Sequence, residues 1–164
     1  MDGLALGAQQ EGKPRKHAMP MPGMQMGHEN HTAASDLRSA LAKNWNAGES
    51  EKSSGLFVES AIIILPTGKL ITGRQSIREF LNDKAKGNVQ LTLTSIGFDP
   101  SSDMQVDFGV FSETKVVRES AHHSAGQNSE ESNQNEGKYL MVVKRPGADW
   151  KIQEVVFVTQ SRSF

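Results

Sequence analysis

The amino-acid sequence predicts an α+β fold in which three short helices pack on a curved antiparallel sheet. Two patterns carry that prediction. Apolar residues recur at three-and-four spacing on either side of a hairpin signal at Pro66-Thr67-Gly68-Lys69, and from Val89 onward they alternate with the period of two that marks strands. Antiparallel strands joined by short turns leave one sheet face free for the helices.

The first 31 residues stand apart. They hold Pro14, Pro20, Pro22 and five glycines, with Leu4 and Leu6 the only large aliphatics besides methionine, so they are expected to form a disordered tail. Within it, His17, Met19, Met21, Met24, Met26, His28 and His31 gather four of the seven methionines and three of the five histidines. Thioethers and imidazoles together suit a soft ion such as Cu(I), and the segment resembles the Met/His-rich stretches of bacterial periplasmic copper-handling proteins. A solvated linker explains the same bias without any metal. Met1 to Ala8 lacks the basic start of a signal peptide, yet Leu4-Ala5-Leu6-Gly7-Ala8 matches the end of one, so a periplasmic or exported protein and a cytoplasmic one both stay open.

Residues 32–164 read as the folded domain. Ala34, Leu37, Leu41 and Trp45 form the stripe of a first helix, with Ser35 as its expected N-cap and Asn46-Ala47-Gly48 as its end. Ser50 is expected to cap a short second helix running through Leu56 and Phe57, with Gly55 inside it at a cost of about 1 kcal/mol. The β-branched run Ala61 to Leu65 and Leu70-Ile71-Thr72 flank the turn as hairpin strands. Gly73 breaks the second, and Ile77, Phe80 and Leu81 mark a third helix closed by Gly87. Four antiparallel strands follow, at Val89 to Phe98, Met104 to about Glu119, Lys138 to Arg145 and Trp150 to Gln160. The polar, low-complexity residues 120–136 are expected to be an exposed loop.

At 164 residues with 36% hydrophobic content and a net charge of −1, the chain suits one domain plus a polar extension. Basic residues are interspersed with acidic ones, which argues against a nucleic-acid partner. The longest apolar run, Ala61 to Leu65, is far below the roughly 20 residues of a membrane helix. No cysteine is present, so disulfide and thiolate chemistry are excluded.

The order of Trp45-Asn46-Ala47-Gly48-Glu49, Leu56-Phe57, Ala61 to Pro66, Gly73-Arg74-Gln75-Ser76-Ile77-Arg78-Glu79-Phe80, Gly137-Lys138-Tyr139 and Trp150-Lys151-Ile152 resembles the SnoaL-like, DUF4440-type branch of the nuclear-transport-factor-2-like superfamily. The resemblance spans residues 32 to 160 and implies a cone-shaped fold enclosing one pocket, with homodimers formed through the outer sheet face. Ketosteroid-isomerase members place a catalytic aspartate before the proline ending the first strand and a tyrosine on the first helix. Carried over by spacing, these positions are Leu65 and Leu41, which neither take nor donate a proton. The resemblance therefore implies a small-molecule-binding domain without isomerase chemistry.

Candidate site residues follow. Strand alternation puts Glu154 on one face with Trp150, Ile152, Val156 and Val158, expected to look into the cone, where desolvation would raise its pKa. With Tyr139, which shares a face with Met141 and Val143, it would serve an alternative isomerase, cyclase or hydratase. A rim glutamate paired to Arg145 or Arg118 is the plainer reading. Leu41, Trp45, Phe57, Leu65, Phe80 and Trp150 are expected to line an apolar pocket for a small apolar molecule, though helical apolar stripes are core first. Arg74 and Arg78 open the third helix, where Arg74 either attracts an acid at the pocket mouth or joins a solvated face. His122-His123 lies in the long loop and lacks a third ligand.

Overall fold

The computed structural model describes residues 32–116 and 134–160. In order, these form α1 (Ala33–Asn46), α2 (Ser50–Ser54), β1 (Phe57–Ile64), β2 (Leu70–Thr72), α3 (Arg74–Lys86), β3 (Val89–Pro100), β4 (Met104–Lys115), β5 (Gln134–Lys144) and β6 (Lys151–Thr159). The six strands make one sheet in the order β2-β1-β6-β5-β4-β3. All neighbours are antiparallel except β1 and β6, which run parallel. Parallel neighbours need a long crossover, and here everything from β2 to β5 supplies it. The sheet is thus mixed where local pattern predicted only antiparallel pairs.

Local chemistry shifts several boundaries. Thr32, not Ser35, caps α1. Its side-chain oxygen accepts from the Ser35 N–H at 3.1 Å, while Ser35 Oγ accepts from the Thr32 N–H at 3.1 Å, a reciprocal capping box worth about 1 kcal/mol. The left-handed Gly48 follows its end. Helix α2 begins at Ser50 without a side-chain cap and stops at Gly55, so it never reaches Leu56 and Phe57. Two bonds draw that segment into the sheet instead: the Ile152 N–H donates to the Leu56 carbonyl at 2.8 Å, and Lys151 Nζ donates to the Gly55 carbonyl at 2.8 Å. Phe57 therefore starts β1, and it is fully buried. Strand β5 begins at Gln134, inside the stretch expected as loop, because Gln134 to Glu136 pair with Thr114 to Ser112.

Curvature comes from glycine and from bulges. An added Cβ on Gly109 would lie 2.0 Å from the Thr94 carbonyl oxygen, and one on Gly137 would lie 2.0 Å from that of Val158. Only glycine lets neighbouring backbones approach so closely, and glycine within a strand favours a bend of the sheet. A register shift between Ser95 and Gly97 adds to the bend. The core fills the concave side, where Leu41 and Trp45 of α1 and Ile77 and Leu81 of α3 meet Met141 and Val143 of β5.

A second register shift corrects the expected face of β6. Val142 pairs with Glu154 but Val143 pairs with Ile152, leaving Gln153 as an extra residue. Ile152, Val155 and Phe157 are therefore the buried set. Glu154 lies opposite Val142 and Ile62 on the outer face, with Val156 and Val158, and not among the residues facing the helices.

Candidate functional site

On β4 the residues Asp107, Gly109 and Phe111 face the helices, while Met104, Phe108 and Val110 face outward and are exposed. The more apolar phase of this strand is thus the outer one, and an aspartate enters the core. Asp107 is only 1% exposed. A carboxylate removed from water is costly unless donors surround it, and three elements supply them here. Arg38 Nη1 of α1 donates to both Asp107 oxygens, at 3.1 and 3.3 Å. Ser95 Oγ of β3 donates to Oδ1 at 2.5 Å, and the Tyr139 hydroxyl of β5 donates to Oδ2 at 2.7 Å.

The phenol is held in its neutral form. Burial pushes the Tyr139 pKa well above its ordinary value, the hydrogen bond to Asp107 and the Asp107 charge add to that, and Arg38 opposes it more weakly. Its proton points at Asp107, so within this network Tyr139 stabilises a carboxylate and is poorly placed to exchange a proton with anything else.

A carboxylate and a phenol thus meet on the concave face, but the carboxylate is Asp107 and not the expected Glu154. Leucines occupy the two positions carried over from the isomerases. Leu41 is buried in the core, and Leu65 packs at its margin in the turn after β1. Tyr139 shares its buried face with Met141 and Val143, as alternation predicts. Arg38 and Asp107 escaped sequence reasoning, although Arg38, four residues after Ala34 and three before Leu41, falls on the α1 stripe, and a charge on such a stripe is a signal.

The residues expected to line a pocket pack against one another. Trp45 and Phe80 meet edge to face with centroids 5.8 Å apart, and the Trp45 indole N–H donates to the Val89 carbonyl at 3.0 Å. Lys84 Nζ lies 5.4 Å from the Phe80 ring centre and donates to both Glu113 oxygens at 2.9 Å. Phe57 is fully buried, and Trp150 packs at the core margin beneath the Arg145 guanidinium, 5.6 Å from its ring centre. Two surface depressions among the described residues lie elsewhere, one between β2 and α3 beside Phe80, the other over β3 to β5 near Thr94 and Gly137.

Arg74 does not face a pocket mouth. Its Nε and Nη2 donate to the Phe57 carbonyl at 3.0 and 2.7 Å, and its Nη1 meets Glu59, which ties α3 to β1. Arg78 pairs with Glu51 at 2.9 Å on the surface. His122, His123, Arg118 and the tail residues His17, Met19, Met21, Met24, Met26, His28 and His31 lie outside the described residues. Among the described residues no group of three His, Cys, Asp or Glu side chains could hold a metal ion, and no helix is long and apolar enough to cross a membrane.

Solved structures share this architecture. A protein with a cystatin-like fold from Novosphingobium aromaticivorans, described as NTF2-like, superposes with a TM-score of 0.65 at 13% identity, covering 80% of this chain and 82% of the other. A candidate scytalone dehydratase from the same organism gives 0.62 at 15% identity, over 79% and 83% of the two chains. A ketosteroid isomerase-like protein from Erwinia carotovora atroseptica gives 0.62 at 9% identity, over 82% and 99%. No protein-family model and no curated protein matches the sequence. The architecture is that of an α+β cone, three helices seated on a curved mixed sheet. The chain has the nuclear-transport-factor-2-like, or cystatin-like, fold.

Proposed function

We propose that this is a SnoaL-like domain that binds a small, largely apolar molecule at the concave sheet face without isomerase chemistry. The observation that carries the reading is the Arg38–Asp107 ion pair, joined by Ser95 and Tyr139 and set among largely apolar core side chains. A well-packed hydrophobic pair stabilises such an interior at least as well, so a retained ion pair fits the few convergent polar groups of a ligand site better than a device for stability. Fold neighbours named for a dehydratase and an isomerase accord with small-molecule handling. Leu41 and Leu65, together with a Tyr139 proton committed to Asp107, favour binding over proton transfer.

The test is a titration of the ¹⁵N-labelled protein with a fragment set of aryl alcohols, ketones and acids. Shifts confined to Arg38, Leu41, Tyr139 and their neighbours are expected. Absence of any such shift across the set, or turnover of a bound fragment, would refute the reading.

The same reading pairs two copies through the outer sheet face. Phe108, Val110, Leu140 and Val158 are each at least 39% exposed there, and the register sets Phe108 directly beside Leu140. Adjacent apolar side chains on a solvated sheet face mark an interaction surface in a way that scattered ones do not.

A further inference from the structure

The arginines of this domain differ in how their donors are used. A guanidinium carries five N–H groups in a rigid plane. Arg74 has all three of its nitrogens bonded to protein oxygens. Arg38 donates to Asp107 through Nη1 and lies beside the Tyr139 hydroxyl, whereas no hydrogen bond runs from its Nε or Nη2 to an acceptor among the described residues, although the side chain is only 12% exposed. That residual exposure of the side chain keeps Arg38 in reach of solvent.

We infer that the free Nε–Nη2 edge of Arg38 seats the carboxylate of a small organic acid. This rests on the binding site proposed above and names its ligand class. The two N–H vectors of that edge are parallel and match a planar carboxylate in a two-point contact. The guanidinium is already fixed by Asp107, which is itself held by Ser95 and Tyr139, so little side-chain freedom is lost on binding. Those two neutral donors also spread the Asp107 charge, leaving part of the Arg38 charge to meet a second anion. A singly charged carboxylate suits this remainder better than a doubly charged phosphate, which Asp107 would repel.

Benzoate and benzamide, alike in shape and different in charge, separate the possibilities when titrated into the protein with the Arg38 Nε–H resonance as probe. Benzoate is expected to move that resonance and to bind about tenfold tighter than benzamide, the preference of one charge-assisted two-point contact. In Arg38→Lys, which keeps the charge and removes the planar fork, the preference should fall to about twofold or less. If the two probes bind equally with the Nε–H unmoved, the carboxylate seat is wrong and small-molecule binding stands. If neither probe perturbs Arg38 or its neighbours, the seat is overturned; failure of the wider fragment set as well removes the binding site. Should Arg38→Lys not fold, the resonance in the unaltered protein decides alone.

Discussion

Tyr139 reaches Asp107 diagonally across the sheet. In the β4–β5 register Tyr139 stands opposite Gly109 and Asp107 opposite Met141, yet the phenol donates to the carboxylate at 2.7 Å. Gly109 has no side chain to stand in the way, and the same missing Cβ allows the strand to bend against Thr94. One glycine thus serves both the curvature of the sheet and the closure of its polar cluster.

Tyr139 is the only tyrosine in the chain, so phenolate absorbance reports it alone. Its folded pKa is raised above the ordinary value of 10, through burial first and then Asp107. The unfolded chain releases this proton before the native one does, so the stability it contributes is complete below about pH 10 and is lost as pH rises beyond that. An alkaline titration followed by absorbance and circular dichroism should show phenolate appearing together with unfolding. A native protein that ionises its tyrosine near pH 10 contradicts the buried hydrogen bond.

Removing one member of the ion pair strands the other. Arg38→Met and Asp107→Leu should each destabilise the domain by about 3–5 kcal/mol in urea unfolding, while the double variant should recover much of that loss. Tyr139→Phe, which deletes a single donor to a charged acceptor, should cost roughly 1.5–3 kcal/mol. Strict additivity of the two ion-pair variants would show that the residues act independently.

Close backbone approach makes Gly109 hard to replace. Gly109→Ala would place its Cβ 2.0 Å from a main-chain oxygen that no rotamer change can move, and a loss of about 3 kcal/mol is expected in thermal or urea unfolding. Gly147→Ala, in a turn with nothing near the added atom, should stay within about 0.5 kcal/mol. Equal stability of the two variants would remove glycine from the account of the bend.

On the outer face, Phe108→Glu and Leu140→Lys place charge where a second copy is proposed to pack, at positions already about 40% exposed, so folding should survive. Sedimentation equilibrium is expected to show a dimer for the unaltered protein and monomers for both variants. A monomeric parent, or variants that remain dimeric, would exclude this face.

Much of the architecture was legible because it is written locally. The stripes of α1 and α3, the turn at Pro66 to Lys69 and the alternation of β3 to β6 each depend on residues within a few positions of one another. The site was less so. Tyr139 was recognisable as inward-facing because β5 alternates without interruption, whereas Glu154 seemed to share that direction only until the extra residue Gln153 reversed the phase of β6. Asp107 was hidden because the richer apolar phase of β4 is the outer one.

From its sequence alone this chain determines a helical layer, a hairpin and a run of strands, since periodicity and turn chemistry need no distant partner. Only the tertiary structure decides that β6 runs beside β1, that Phe57 leaves its helix for a strand, and that Arg38, Ser95, Asp107 and Tyr139 converge. Those outcomes rest on contacts between residues tens of positions apart, where the cost of burying a charge or leaving a backbone group unpaired is settled by what the fold brings alongside.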